Sequence, residues 1–139
     1  MAAAAAFYHL PPRVLPSIQA VEGGRPALIQ PNTNGTFDLG LMQINTIWIG
    51  SLARYAHMTG PAVTNRLLHD PCFNIAASAA IVRVYLTEAH GNLMVAIGYY
   101  HSHTPARSMA YQQKVLGAAG ALFGISHDRP PGTGDRRTF

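Results

Sequence analysis

Apolar residues recur at helical spacing along most of the chain, and Gly, Pro and cap residues cut that pattern into pieces. Val14, Leu15, Ile18 and Val21 predict a first helix that starts at Pro12 or Pro16 and runs to about Glu22, where Gly23-Gly24 ends it. Pro16 leaves the start open, since it has no amide to donate and disfavours helix at Leu15. Arg25 to Asp38 carries Pro26, Pro31, Asn32, Asn34 and Gly35, so it reads as a loop with turns that could include a short hairpin. The apolar segment Leu39 to Ile44 leads into a helix from about Thr46 to His57 with Trp48, Leu52, Tyr55 and Ala56 inward. Gly60-Pro61 breaks the chain before a short helical turn through Leu67 and Leu68. Asp70-Pro71 is a cap followed by a first-turn proline and opens a helix reaching about His90, with Ile75, Ala79, Val82 and Leu86 as its stripe. Asn92 caps a helix over 93–100, and Thr104-Pro105 repeats the signature for a last helix ending near Gly124.

These elements predict a mainly α fold with a minor hairpin near residues 26–38. A lead segment over 1–11 precedes a single domain over 12–124, and the stretch 125–139, poor in core candidates, reads as a flexible tail. With 139 residues, 48% apolar and 12% charged, the chain can enclose one core but not two large domains. No apolar run is long enough for a spanning helix, so no integral membrane segment is expected. The start, MAAAAAFYHL, lacks the charged region of a secretory signal and reads as a chain without an evident export signal. The net charge of +4 comes from scattered bases, clustered only at Arg129, Arg136 and Arg137. A nucleic-acid reader would concentrate them on one face, so no nucleic acid is expected, whereas a mildly basic surface suits an anionic polymer such as a cell wall.

Scarcity of acids sharpens the chemistry. Any carboxylate reaction must use Glu22, Glu88, Asp38, Asp70, Asp128 or Asp135. Glu22 follows Val21 and lies four residues after Ile18, so on a helix it borders the apolar stripe. It also sits in the last turn, where the macrodipole disfavours negative charge. Burial and dipole both push its pKa up, toward the protonated state a general acid requires. A boundary glutamate accepting from a nearby amide would occupy the same position. Asp38 could be a second carboxylate near a substrate or the cap of the next short helix; Glu88 is expected to be solvated and Asp70 to be a cap.

Read together, Ala20 to Gly24, Asn34 to Asn45 (NGTFDLGLMQIN), Asp70 to Ile75 (DPCFNI), Ala96 to Ser102 (AIGYYHS) and Tyr111 to Val115 (YQQKV) resemble the lytic transglycosylases with a goose-type-lysozyme-like fold. The similarity is greatest to the small branch associated with secretion systems, pili and conjugation, and it covers about Leu10 to Leu116 in order and spacing. It implies that Glu22 protonates the glycosidic oxygen between N-acetylmuramic acid and N-acetylglucosamine in peptidoglycan. The same carboxylate would then act as base on the muramyl 6-hydroxyl, closing a 1,6-anhydro ring without water. One carboxylate suffices for that chemistry, whereas ordinary glycoside hydrolysis uses a pair.

The resemblance also implies that Gly40 to Gln43 line the saccharide groove. Gly40 would let backbone approach a sugar, Met42 would offer a flexible apolar face, and Gln43 would donate and accept. Leu41 and Ile44 read as core, and Asn45 as a second polar contact. Tyr100 matches the tyrosine whose hydroxyl orients the acid, in competition with Tyr99. His101 and Ser102 stand where relatives have Asn and Ala, and become candidate substrate contacts. Gly23 stands where many relatives carry a serine after the glutamate. The implied partners are peptidoglycan strands and an envelope-spanning secretion, conjugation or pilus apparatus, in a periplasmic or exported location. No cofactor or metal is expected, because His101-x-His103 lacks a third ligand. Cys72 holds a position where relatives can form a disulfide with a cysteine near the N-terminus; it is the single cysteine here and is expected to be a buried small hydrophobe.

Overall fold

A computed structural model describes residues 1–124. Among them are seven helices and a small sheet at the edge of the helical core: α1 (Ala2–Phe7), α2 (Val14–Glu22), β1 (Ile29–Pro31), β2 (Phe37–Leu39), β3 (Ile44–Asn45), α3 (Ile49–Ala56), α4 (Gly60–His69), α5 (Pro71–Glu88), α6 (Leu93–His101) and α7 (Pro105–Phe123). The mainly α class with a minor β element is what the patterning predicts. The hairpin pairs Ile29 with Leu39 and Pro31 with Phe37, and a third antiparallel strand, unforeseen in the sequence, pairs Asp38 with Asn45. The expected tail over 125–139 lies outside the described residues.

Pro16 falls at the third position of α2, where its missing amide would have had no helical partner, so the helix starts before it. Gly23 closes α2 in the left-handed region at φ 62° and donates to the Gln19 carbonyl. Asp70 accepts from the Phe73 amide at 3.1 Å and Asn92 from the Val95 amide at 3.2 Å, so both act as the predicted caps. Each such cap is worth about 1 kcal/mol. Thr104 does not cap α7 with its side chain; the Ser102 hydroxyl instead accepts from the Thr104 amide at 3.1 Å.

Three expectations are corrected. Gly60-Pro61 is the start of a ten-residue helix, capped by Thr59, because proline in a first turn loses no helical bond. Tyr55 faces outward, since α3 begins at Ile49 after a short 3-10 turn over Thr46–Trp48 and its inward stripe is Ile49, Leu52 and Ala53. Cys72 is exposed, because on the first turn of α5 it stands two residues, more than half a helical turn, from the fully buried Asn74 and so faces away from the core.

The core sits around α5, which touches α1, α2, α4 and α6, and this explains why its buried face is wider than one stripe, including Ala77, Ala79, Ile81, Val82 and Tyr85. Leu15, Ile18, Met42, Ile44, Leu67 and Ile97 are fully buried. Each such side chain contributes about 2 kcal/mol. Residues 1–11 join this core through Ala5 and Leu10. α7 packs on both α2 and α6, and that pairing sets the site.

Candidate active site

Glu22 ends α2 beneath a polar cleft of about 540 Å³ walled by the sheet on one side and by the end of α6 with the start of α7 on the other. Burial pushes its carboxyl from 4.5 to about 7. A hydrogen bond from Tyr111 and the nearby Lys114 oppose that rise, and the charge of Asp38 adds to it. The Tyr111 hydroxyl donates to Glu22 Oε1 at 2.6 Å, while Oε2 has no protein partner among the described residues. The carboxyl is thus held by one oxygen, leaving the other to give or take a proton in the cleft.

Tyr111 carried no assigned role in the sequence. Its signal lay in α7, where Ser108, Tyr111, Val115 and Ala119 form the buried stripe. A tyrosine on such a face needs a partner for its hydroxyl, and α2 is the helix it meets. Burial and the Glu22 charge raise its own pKa far above the usual tyrosine value, so it remains a donor.

Tyr100 lines the cleft, but its hydroxyl donates to the Met42 carbonyl at 2.8 Å, not to Glu22. It ties α6 to the segment Gly40 to Gln43. That segment is fixed from below by Asn74, whose Nδ2 donates to the Leu39 and Leu67 carbonyls at 3.0 and 2.8 Å and whose Oδ1 accepts from the Met42 amide at 2.9 Å. Gly40 adopts φ 72°, and a Cβ there would strike the Leu67 carbonyl and approach Asn74 Nδ2 to 2.6 Å. Its glycine is therefore required by packing beneath the cleft. The Met42 side chain is fully buried, so this residue reaches the site through its backbone only.

Gln43 does line the cleft, 5% exposed and with φ 51°. Its Nε2 donates to the Gly40 carbonyl at 2.8 Å, and its Oε1 is buried without a partner among the described residues. A buried acceptor left open in this way is costly unless something donates to it. Asn45, also in the wall, already spends its amide on Thr36 Oγ1 at 2.9 Å and Asp38 Oδ1 at 3.0 Å, and its carbonyl accepts from the Ile47 amide. Asp38 is thus a strand residue on the cleft wall; Asn45 takes the capping role expected of it.

His101 stacks on Tyr111 with ring centroids 5.0 Å apart, and burial together with Lys114 and Arg107 lowers its pKa, favouring the neutral ring. Ser102 lines the wall and holds the α7 entry. His103 instead stacks on Tyr99 and meets Glu88 at 2.7 Å, so Glu88 is partnered as well as solvent-facing. No group of three or more His, Cys, Asp or Glu is placed to hold a metal among the described residues. Trp48 gives the cleft an apolar wall backed by the buried Ile44 and Ile81, and Arg107, which the sequence did not single out, gives it a cation. No helix among the described residues is long and apolar enough to cross a membrane.

A mainly helical domain with a minor sheet beside a cleft that holds a half-buried glutamate is the arrangement of a lysozyme-like fold. The chain matches the model of the transglycosylase SLT domain over residues 1–115 and belongs to that family. It is 31% identical over 106 residues to invasion protein IagB of Salmonella typhimurium strains SL1344 and LT2, covering 73% of this chain and 62% of theirs. To invasion protein IagB of Salmonella typhi it is 33% identical over 85 residues, 60% of this chain and 49% of that one. The chain therefore spans less than two thirds of the length of these curated relatives.

Proposed function

We propose that the chain is a peptidoglycan lytic transglycosylase that cleaves the β-1,4 bond between N-acetylmuramic acid and N-acetylglucosamine and leaves 1,6-anhydromuramyl ends. The observation that carries this reading is Glu22 itself, half-buried at the cleft with its pKa raised to about 7 and one oxygen held by Tyr111. Near neutral pH such a carboxyl exists in both forms, which suits a group that must first give a proton and then take one. In the first step the Glu22 proton passes to the glycosidic oxygen as the bond from the muramyl C1 breaks. In the second, the Glu22 carboxylate takes the proton of the muramyl 6-hydroxyl, whose oxygen bonds to C1. The carboxyl is restored and no water is consumed.

The cleft's chemistry supports a glycan. Gln43 Oε1 is a buried acceptor without a protein partner among the residues that line the cleft, and the half-buried Trp48 offers an apolar surface for a sugar face. Tyr100 fixes the segment that carries Gln43, His101 and Ser102 supply polar edge groups along the wall, and Asn45 donates to Thr36 and Asp38. Local opening of the wall for a secretion, conjugation or pilus apparatus, outside the cytoplasm, follows from the branch the motifs resemble; the relatives' name as invasion proteins is consistent with it. Digestion of purified wall followed by mass spectrometry tests the reaction. Anhydro ends are expected with the native chain and none with Glu22→Gln; reducing muramyl ends would instead assign hydrolysis, with Asp38 as second carboxylate.

A further inference from the structure

A second cleft of about 250 Å³ shares Glu22, His101 and Arg107 with the first and adds Tyr111 and Lys114. Its α7 wall is set by spacing: Arg107, Ala110, Tyr111 and Lys114 stand at i, i+3, i+4 and i+7, one helical face over two turns. Ala110 leaves the room between the two cations. Lys114 is the only lysine in the chain. Neither it nor Arg107 forms an ion pair among the described residues, where the pairs are Arg66 with Asp70 and His103 with Glu88. Glu22 is the one acid in this cleft, and its raised pKa keeps much of its population uncharged near neutral pH. The cleft is therefore electropositive and directly beside the candidate acid.

We propose that this second cleft is a subsite for a carboxylate borne by the glycan strand, gripped by Lys114 and Arg107 against the wall formed by the stacked His101 and Tyr111 rings. The proposal rests on the peptidoglycan reading above. Muramyl residues carry a lactyl ether that ends either in a peptide stem with free carboxylates or, once the stem is removed, in a carboxylate of its own. Arg107 can fork onto such a group and Lys114 can meet it as a point charge. The subsite would hold the strand by its substituent while the bond lies over Glu22, making the enzyme selective for charged wall over neutral glycan.

The test measures binding in the Glu22→Gln background, where turnover is absent and nothing at position 22 ionises. Soluble stem-bearing muramyl glycan fragments are titrated beside the same fragments with their carboxylates converted to amides. Expected is about tenfold tighter binding of the charged fragments at low salt, a ratio that shrinks as salt rises. Lys114→Met should bring the ratio toward one and Lys114→Arg should restore it; Lys114 is exposed, so both variants are expected to fold. Stem-bearing fragments have no free lactyl carboxylate, so fragments stripped of stems by an amidase are titrated beside their own amides as a second arm: a ratio in the stem-bearing pair assigns a stem carboxylate, a ratio in the stripped pair alone assigns the lactyl group, and either supports the subsite. Equal affinity for charged and amidated fragments in both pairs, or an unchanged ratio in Lys114→Met, overturns it. Normal anhydro products with no charge preference would remove this subsite alone. Absence of any wall cleavage by the native chain would remove the catalytic reading, whatever the fragments bind.

Discussion

The Tyr111 hydroxyl reaches Glu22 Oε1 at 2.6 Å from 89 residues further along the chain, tying the end of α2 to the middle of α7. That bond stabilises the carboxylate form and draws the Glu22 pKa down against the larger effect of burial. Tyr111→Phe keeps the ring and removes the donor, so the Glu22 pKa should rise further. Because the proposed first step needs the protonated acid, the high-pH limb of wall turnover should move to higher pH. The maximal rate should fall about tenfold as the carboxyl loses its fixed orientation. A pH profile of the variant checks both, and a limb that stays put or moves to lower pH would contradict the assignment.

Burial of the same carboxyl has a consequence for stability. With a pKa of about 7 in the folded protein and 4.5 as the ordinary value, the native state holds a proton that the unfolded chain has released. Between those pH values the native state binds more protons, so stability declines as pH rises and the loss is complete above about 7. The gap corresponds to roughly 3 kcal/mol. Glu22→Gln removes this dependence. Urea unfolding should find the variant close to the native chain at pH 4 and more stable by up to roughly 3 kcal/mol at pH 8, while it is inactive at both. A variant less stable than the native chain at pH 8 would mean that the carboxylate is well accommodated where it sits.

Local signals in the sequence carried the helices, since caps and apolar spacing act within a few residues; Asp70, Asn92 and Gly23 all close or open helices as their chemistry predicts. Glu22 was legible for the same reason, as an acid on the edge of an apolar stripe. What stayed hidden depends on contacts across the chain. Nothing near Tyr100 reveals that its hydroxyl meets Met42, 58 residues away, or that Tyr111 supplies the bond to Glu22 instead. Met42 and Gly40 look like groove residues by motif, yet their packing against α4 and α5 is set by Asn74 and Leu67. The third strand escaped notice because two residues are too short for a period-2 pattern.

Asn74 is fully buried and makes three hydrogen bonds to backbone groups of Leu39, Met42 and Leu67. Asn74→Ala leaves one amide and two carbonyls without those partners in the interior and should cost about 3–5 kcal/mol. Asn74→Asp keeps the acceptor for Met42 but removes both donations and places a carboxylate against two carbonyls, so it should be at least as destabilising at neutral pH. Chemical denaturation measures both. A loss under about 1 kcal/mol in either would show that the Gly40 to Gln43 segment is held by something other than this side chain.

Gln43 separates binding from stability. Its Oε1 already lacks a protein partner, so the folded chain gains little from that oxygen, and its Nε2 contributes a single bond to the Gly40 carbonyl. Gln43→Met keeps the length of the side chain and should change stability by no more than about 1 kcal/mol. If a glycan donor fills the open acceptor, the same change should weaken binding of glycan fragments about tenfold. Gln43→Glu behaves differently, because it loses the donor to Gly40 and adds to Asp38 a further acid near Glu22, raising the Glu22 pKa and shifting the high-pH limb upward. Titration of fragments against both variants, beside their unfolding curves, tells the two effects apart. Fragment affinity unchanged in Gln43→Met would mean that the open acceptor is not used by the substrate.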